Sequence, residues 1–324
     1  MKKLFDPAVL EEVSPDFRAL LAAGLAQESS EPPQALVPAK KVTPAKRDPE
    51  PQAAQPLSGE FIGFMSRLLV QAAMPHAKTD EHFYKRKNGN VSIEMARTSS
   101  EVGLPYGHYP RLLMCWVTKE AARNRSPVLE LGDSLTAFMR QLGLVSSDSR
   151  SPTGGAIRRL RDHMQRLFCA AVSWTREGKG SWQNIGVRPV KSTQLWWDPK
   201  QPDQVSLWRS TITLDQDFYE EIIRHPVPVD MRVLKALAAM QATLAIDIYA
   251  WLTYRMSYME RPTTVPWAAL ALQFGSDYSR ARAFKAKFVR WLGVVKQLYP
   301  TANVAPTDDG VMLVPSPTHV PMLG

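Results

Sequence analysis

Two stretches of this chain follow one pattern. The first runs Cys115-Trp116-Val117-Thr118, then apolar Val128-Leu129-Glu130-Leu131, then Leu135-Thr136-Ala137-Phe138-Met139-Arg140-Gln141-Leu142-Gly143. The second runs Ala250-Trp251-Leu252-Thr253, then Thr263-Thr264-Val265-Pro266, then Leu270-Ala271-Leu272-Gln273-Phe274-Gly275. From Trp to Gly is 27 residues in the first copy and 24 in the second. Each copy continues with a polar turn, Ser146 to Arg150 or Ser276-Asp277, then a basic amphipathic segment, then strand-like residues around a turn. A repeated supersecondary unit fixes the architecture before any single residue is considered. Helix, strand, short helix, turn, basic helix and hairpin is the order of a winged helix, whose last two helices form a helix-turn-helix. Gly143 and Gly275 are expected to close the short helices at positive φ. The predicted fold class is therefore α+β, helix-rich, with tandem winged-helix domains.

The basic segments say what such a fold would do. In 277–299, Phe284, Phe288, Trp291, Val295 and Leu298 recur at spacings of three and four, a single apolar stripe on a helix. Six cations stand against one acid, Asp277, in that segment. Arg282 and Lys285 fall opposite the stripe, and Arg280, Lys287 and Arg290 flank it. In the first copy Ile157, Leu160, Met164, Leu167 and Phe168 form the seam, Arg158, Arg159 and Arg166 lie away from it, and Arg161 is at its margin. A seam opposite a cationic face anchors a helix to its own domain while the face meets phosphates and base edges. Thr153-Gly154-Gly155 would open the first helix and let backbone approach a phosphate. The hairpin after each helix is the candidate wing. In the first copy Arg176-Glu177-Gly178-Lys179-Gly180-Ser181 puts two cations at a tip, with Trp174 and Trp182 packing the sheet. In the second copy Asp308-Asp309-Gly310 makes an acidic tip.

The remaining chain divides by composition. Residues 1–57 read as a flexible tail: a short helix within 1–26, then a proline-punctuated linker over 28–57 without an aromatic residue. Residues 58–210 are expected to form an N-terminal winged-helix domain with extra β-structure. There, Phe61 to Leu69 has a helical pattern, and Asn88-Gly89 stands before alternating Val91, Ile93 and Met95, a hairpin signal. The β-structure includes Leu195-Trp196-Trp197 and Val205, Leu207 and Trp208. Residues 211–324 are expected to form the C-terminal winged-helix domain, with a helix after Asp215 that Pro226 and Pro228 break, and helices over 230–240 and 242–259. In this division 211–324 reads bases, while 58–210 adds backbone contacts and the interface that sets monomer or dimer.

Several function classes lose support. The net charge of +9 favours an anionic partner. Cys115 and Cys169 are the two cysteines, both read as small core residues, too few for a disulfide framework or a cysteine-rich zinc site. The six histidines form no His-x-His pair, and Gly178-Lys179-Gly180 lacks the first glycine of a phosphate-binding loop. No nucleophile–base motif appears, so the expectation is a non-enzyme without catalytic residues, metal or cofactor. The most apolar stretch, Ala236 to Ile246, lies between Lys235 and Asp247 and is far short of a membrane span. The expected location is the cytoplasm.

Over about 160–320 the chain resembles the RepA-type plasmid replication initiators. Ser173-Trp174, Leu195-Trp196-Trp197, Phe218-Tyr219, the block Ile248 to Arg255, Phe274-Gly275 leading into Phe284-Lys285 and Phe288, and Val311 to Pro315 carry the resemblance. It implies two winged-helix domains that bind directly repeated sites, iterons, in double-stranded DNA at a plasmid origin, promote opening of the adjacent AT-rich DNA and recruit the host helicase and initiator proteins. It also implies a homodimer that represses and a monomer that initiates. Carried over by position, the second reading helix is 277–299, with Tyr278, Ser279, Arg280, Arg282 and Lys285 as contacts. From the residues themselves Lys287, Arg290, Arg158, Arg159, Arg161, Arg166, Arg176 and Lys179 join the DNA-binding set. The alternative reading is a winged-helix transcriptional regulator without a replication role.

Overall fold

The computed structural model describes residues 61–71, 73–145, 154–198, 200–205, 209–275 and 281–320. The expected tail and linker over 1–57, the turns at 146–150 and 276–277, Thr153, Tyr278, Ser279, Arg280, Leu207 and Trp208 lie outside the described residues.

The chain opens with β1 (Ile62–Ser66) and a single turn, α1 (Arg67–Gln71). The pattern from Phe61 to Leu69 thus splits into strand and helix rather than one helix. β1 pairs antiparallel with β9 (Pro226–Asp230) and is buried on both faces, Met65 in a core with Leu112 and Cys115 and Gly63 close against Met231 and Cys115, and a doubly buried strand does not alternate. A two-stranded sheet has only edges, so β9 tolerates its prolines. β2 (Phe83–Asn88) and β3 (Val91–Arg97) form the expected hairpin over Gly89-Asn90.

The repeat follows. α2 (His108–Asn124), β4 (Val128–Glu130), α3 (Leu135–Gln141) and α4 (Gly154–Phe168) form the first unit. Next come β5 (Ala170–Gly178), β6 (Ser181–Val187), β7 (Val190–Gln194) and β8 (Thr211–Leu214). α5 (Gln216–Arg224), capped by the Asp215 carboxylate, leads through β9 to α6 (Met231–Ala239). The second unit is α7 (Thr243–Met256), β10 (Thr263–Pro266), α8 (Trp267–Phe274), α9 (Ala281–Leu298), β11 (Val304–Pro306) and β12 (Gly310–Leu313). The fold is α+β, with the winged-helix element order in both units.

The repeated motif repeats its packing. Trp116 meets Phe138 edge-on with ring centroids 5.0 Å apart, and Trp251 meets Phe274 edge-on at 5.7 Å. Two residues after each tryptophan, a buried threonine returns its hydroxyl to the carbonyl one turn back: Thr118 to Met114 (2.9 Å) and Thr253 to Tyr249 (3.0 Å). Tryptophan fixes the long helix to the short one, and threonine is tolerated in the buried helix because its hydroxyl is bonded. Gly143 sits at φ 71°, as expected, but Gly275 sits at φ −84°. What requires glycine at 275 is space, since a Cβ there would lie 2.6 Å from the Ala271 carbonyl oxygen.

Sheet order corrects the wing of the first unit. The second unit has β10-β12-β11, its post-helix hairpin lying beside the strand from before the short helix. The matching sheet in the first unit is β4-β8-β7. Its wing is therefore β7–β8, joined through 195–210. The β5–β6 hairpin that carries Arg176 and Lys179 is an insertion, which joins β2 and β3 in a separate sheet, β2-β3-β5-β6. Leu195-Trp196-Trp197 is wing loop rather than strand: Trp197 packs on Phe138, and Trp196 is 54% exposed. Trp174 is buried, whereas Trp182 is 66% exposed and does not pack the sheet.

Two cores divide the interior. The first gathers α2, α3, α4 and the strands around them, and includes Phe218, Tyr219 and Ile222 of α5. The second gathers α6 to α9, and includes Met65, Val70, Leu112 and Cys115 from before residue 116. Cys115 is fully buried, but Cys169 is only partly so. Burial pushes the Cys115 thiol up to about 12, which keeps it neutral.

Candidate nucleic-acid interface

The two candidate reading helices have the amphipathic build that the sequence predicts. In α4 the seam residues Ile157, Leu160, Met164, Leu167 and Phe168 are all buried, while Arg158, Arg159 and Arg161 are exposed. Arg166 departs from the expectation. It ion-pairs with Asp162 (2.8 Å), lies over the Tyr106 ring (5.3 Å) and is 12% exposed. With its guanidinium held inside its own domain, Arg166 positions α4 rather than facing outward.

In α9 the seam is Phe284, Phe288, Leu292 and Val295, with Trp291 and Leu298 only half-buried. Leu292 takes the central place that the spacing gave to Trp291. Phe288 is fully buried, with the rings of Trp267, Phe274 and Phe284 each within 6 Å and that of Trp251 at 6.3 Å. Burying such side chains contributes about 1.5–3 kcal/mol each, which fixes the helix to its unit. Arg282, Lys287 and Arg290 are exposed. Lys285 is half-buried. Its ammonium lies 5.1 Å from the Trp267 ring and donates to the Asp308 carbonyl oxygen (3.1 Å). The wing turn is fastened further by the Trp267 indole, which donates to the Thr307 carbonyl oxygen (3.1 Å). Lys285 thus ties α9 to the acidic wing, and the Arg290 guanidinium lies 5.2 Å from the Trp291 ring.

Sequence reasoning missed the contact that joins the units. Arg111 of α2 is 1% exposed and grips Asp247 of α7 with two hydrogen bonds of 2.6 Å. It also donates to the carbonyl oxygens of Met74 (2.8 Å) and Gly107 (2.6 Å). His76 Nε2 lies 2.8 Å from the second Asp247 oxygen. Burial alone would raise the Asp247 carboxyl, but Arg111 and His76 outweigh it and hold it below the usual carboxylate range. The signal was present in the sequence: a lone acid inside a strongly apolar helix needs a buried partner. Nearby, His163 of α4 stacks on Tyr109 of α2 at 4.6 Å. Burial first lowers both His108 and His163 to about 4, and the neighbouring arginines add to the effect. Both are therefore neutral at physiological pH.

Among the described residues no group of His, Cys, Asp and Glu is arranged to hold a metal ion, and no helix is long and apolar enough to cross a membrane. No curated protein matches the chain. Two crystal structures of domains 2 and 3 of RctB are similar at 12% identity. One covers 76% of this chain and 94% of that chain at a TM-score of 0.44. The other, a selenomethionine derivative, covers 79% and 97% at a TM-score of 0.46. The family described as "Plasmid encoded RepA protein" matches residues 104–268, from the approach to α2 through β10. That match takes in the whole first unit, the helix with the second Trp-x-Thr motif and just over half of the chain, so this protein belongs to the plasmid-encoded RepA family of replication initiators.

Proposed function

We propose that this protein binds double-stranded plasmid origin repeats, iterons, sequence-specifically, promotes opening of the adjacent origin DNA and recruits host helicase and initiator proteins. The observation that carries the reading is the doubled helix-turn-helix, in which each second helix buries an apolar seam and turns exposed arginines outward. Arg282, Lys287 and Arg290 on α9, with Tyr278, Ser279 and Arg280 ahead of it, read base edges. Lys285 positions the helix against its wing. Arg158, Arg159 and Arg161 on α4 contact the second half of the site, and Arg166 holds α4 in place. A dimer uses the same chain to repress, and a monomer initiates. The protein acts in the cytoplasm as a non-enzyme, without a cofactor.

The test has two parts. Gel shifts on the cognate plasmid origin, against a scrambled duplex of equal length, should show a preference for the origin. A plasmid carrying only the origin should replicate when the protein is supplied in trans. Binding without replication would favour the transcriptional-regulator reading, and equal affinity for both duplexes would refute specific recognition.

A further inference from the structure

Apart from α9, the second helix-turn-helix and its wing carry no cation among the described residues. The first helix of such a motif crosses the DNA backbone, and a wing commonly adds phosphate contacts. Here that helix, α8, reads Trp-Ala-Ala-Leu-Ala-Leu-Gln-Phe and carries no cation. The wing turn is Asp308-Asp309, and Lys285 already lies against it. Among the described residues, α9 therefore has a cationic face to which α8 and the wing turn add no further cation.

The neighbouring sheet supplies what is missing. The tip of the β2–β3 hairpin is fastened beside α8. Gln273 of α8, 3% exposed, donates to the Val70 carbonyl oxygen (3.2 Å). Asn88 at the end of β2 donates to the next carbonyl oxygen, that of Gln71 (3.0 Å). The Gln71 side chain donates to the Tyr254 hydroxyl of α7 (3.1 Å). Gln273 stands two residues before Gly275, where the turn into α9 begins.

The β5–β6 tip is at the same end of that sheet. Arg176 pairs with Val91, Val91 pairs with Asn88, and Asn90 exchanges two hydrogen bonds with Glu177. Lys87, Arg176 and Lys179 are exposed at that end of the sheet beside Glu177, the Arg176 guanidinium lying 5.0 Å from the Trp174 ring. Lys87 and Arg176 stand on strands two apart, about 10 Å, and on opposite faces of the sheet, Lys87 in line with Ser92 and Thr175 and Arg176 in line with Val91 and Asn88. At both turns glycine leaves the backbone open, since nothing lies within 4 Å of a Cβ placed at Gly89 or Gly180.

We infer that the paired hairpin tips of the β2-β3-β5-β6 sheet, through Lys87, Arg176 and Lys179, form a clamp on duplex DNA phosphates beside the groove that α9 enters. The clamp rests on the proposed DNA-reading role of α9. It reads no sequence, and it stands in for the cations that α8 and the second wing lack. The inserted β5–β6 hairpin thereby serves the second unit rather than the first.

The test uses the full chain with its cognate origin duplex and a scrambled duplex, from 50 to 200 mM salt. The triple variant Lys87→Ala, Arg176→Ala, Lys179→Ala should lower the slope of log K against log salt by ~2–3, at ~0.9 per phosphate. It should weaken both duplexes by the same factor and shorten the footprint on one side of the site. The charge-retaining variant Lys87→Arg, Arg176→Lys, Lys179→Arg should keep the wild-type slope. A triple variant with wild-type slope overturns the clamp, and so does one that loses affinity only for the origin duplex. Arg282→Ala with Arg290→Ala separates the two readings. If that variant keeps its origin preference, the role of α9 fails. If it loses the preference while the triple variant is unchanged, the clamp alone fails.

Discussion

Replacing Asp247 with Asn should cost this protein a large part of its stability and separate the melting of its two units. Arg111 is 1% exposed, and Asp247 provides both oxygens that neutralise it. The variant keeps the shape of the side chain but leaves a buried guanidinium without a counter-charge, a change that costs about 3–5 kcal/mol. Whole domains are stable by about 5–15 kcal/mol, so the loss is a substantial fraction. The pair joins α2 of the first unit to α7 of the second, so its loss falls on their coupling. Thermal unfolding by circular dichroism should change from one transition to two, and calorimetry should give a van't Hoff enthalpy below the calorimetric one. The double variant Arg111→Met, Asp247→Leu should recover most of the stability, because removing both charges removes the uncompensated one. A loss below about 1 kcal/mol for Asp247→Asn would refute the reasoning, as it would mean that Arg111 is solvated in the native state.

Other consequences follow from the same packing. His108 and His163 are lowered from the usual 6.5 to about 4, so between those values the unfolded chain binds more protons than the folded one. Urea midpoints should hold steady above about pH 6.5 and fall as the pH drops towards about 4. His163→Phe should flatten part of that slope, and an unchanged profile would remove the histidine from the account. Phe288→Ala should lose ~3–5 kcal/mol, and Trp291→Ala less because Trp291 is half-buried; the reverse order in urea melts would reinstate Trp291 as the centre of the seam. Arg166→Ala should lower the melting temperature, whereas Arg158→Ala should leave it unchanged and weaken binding to origin DNA. Equal effects of the two on both measurements would contradict the inward placement of Arg166.

The repeat was legible because it is written in residues whose packing allows few substitutes. Trp116 with Phe138, Trp251 with Phe274, and the back-bonded threonines at 118 and 253 recur in space as they do along the chain. The seams of α4 and α9 were legible for the same reason, since periodicity records burial. Three features were not. β1 looked helical because both its faces are buried, while its strand partner β9 stands 160 or more positions away, and local spacing carries no trace of a distant partner. Lys285 and Arg166 looked outward because helical periodicity gives a direction but not what stands there: Trp267 and the wing in one case, Tyr106 and Asp162 in the other. The first wing was misplaced because the hairpin after α4 comes first in the chain, and only strand pairing shows that β7 and β8 match β11 and β12.

The pairing of β1 with β9 and the buried Arg111–Asp247 contact bear on how the two units act. A boundary at residue 211 would place β8 and the core residues of α5 with the second unit, yet β8 pairs with β4 and β7, and Phe218, Tyr219 and Ile222 pack in the first core. It would also take Met65, Leu112 and Cys115 away from the core they fill with Val229, Leu234 and Ile248. Chain order and spatial unit therefore cross twice, once through β1 and once through α5. Two reading helices on freely linked domains could adjust to any spacing of half-sites. Here α2 and α7, the long helices that carry each unit, meet through a buried two-bond ion pair with little room to slide. The spacing between α4 and α9 is thus a property of the folded chain, and under the proposed function a DNA site would have to match that spacing or be deformed to match it. If α4 and α9 bind DNA as proposed, selectivity should include the distance between half-sites as well as the bases that Arg282, Lys287 and Arg290 are proposed to contact.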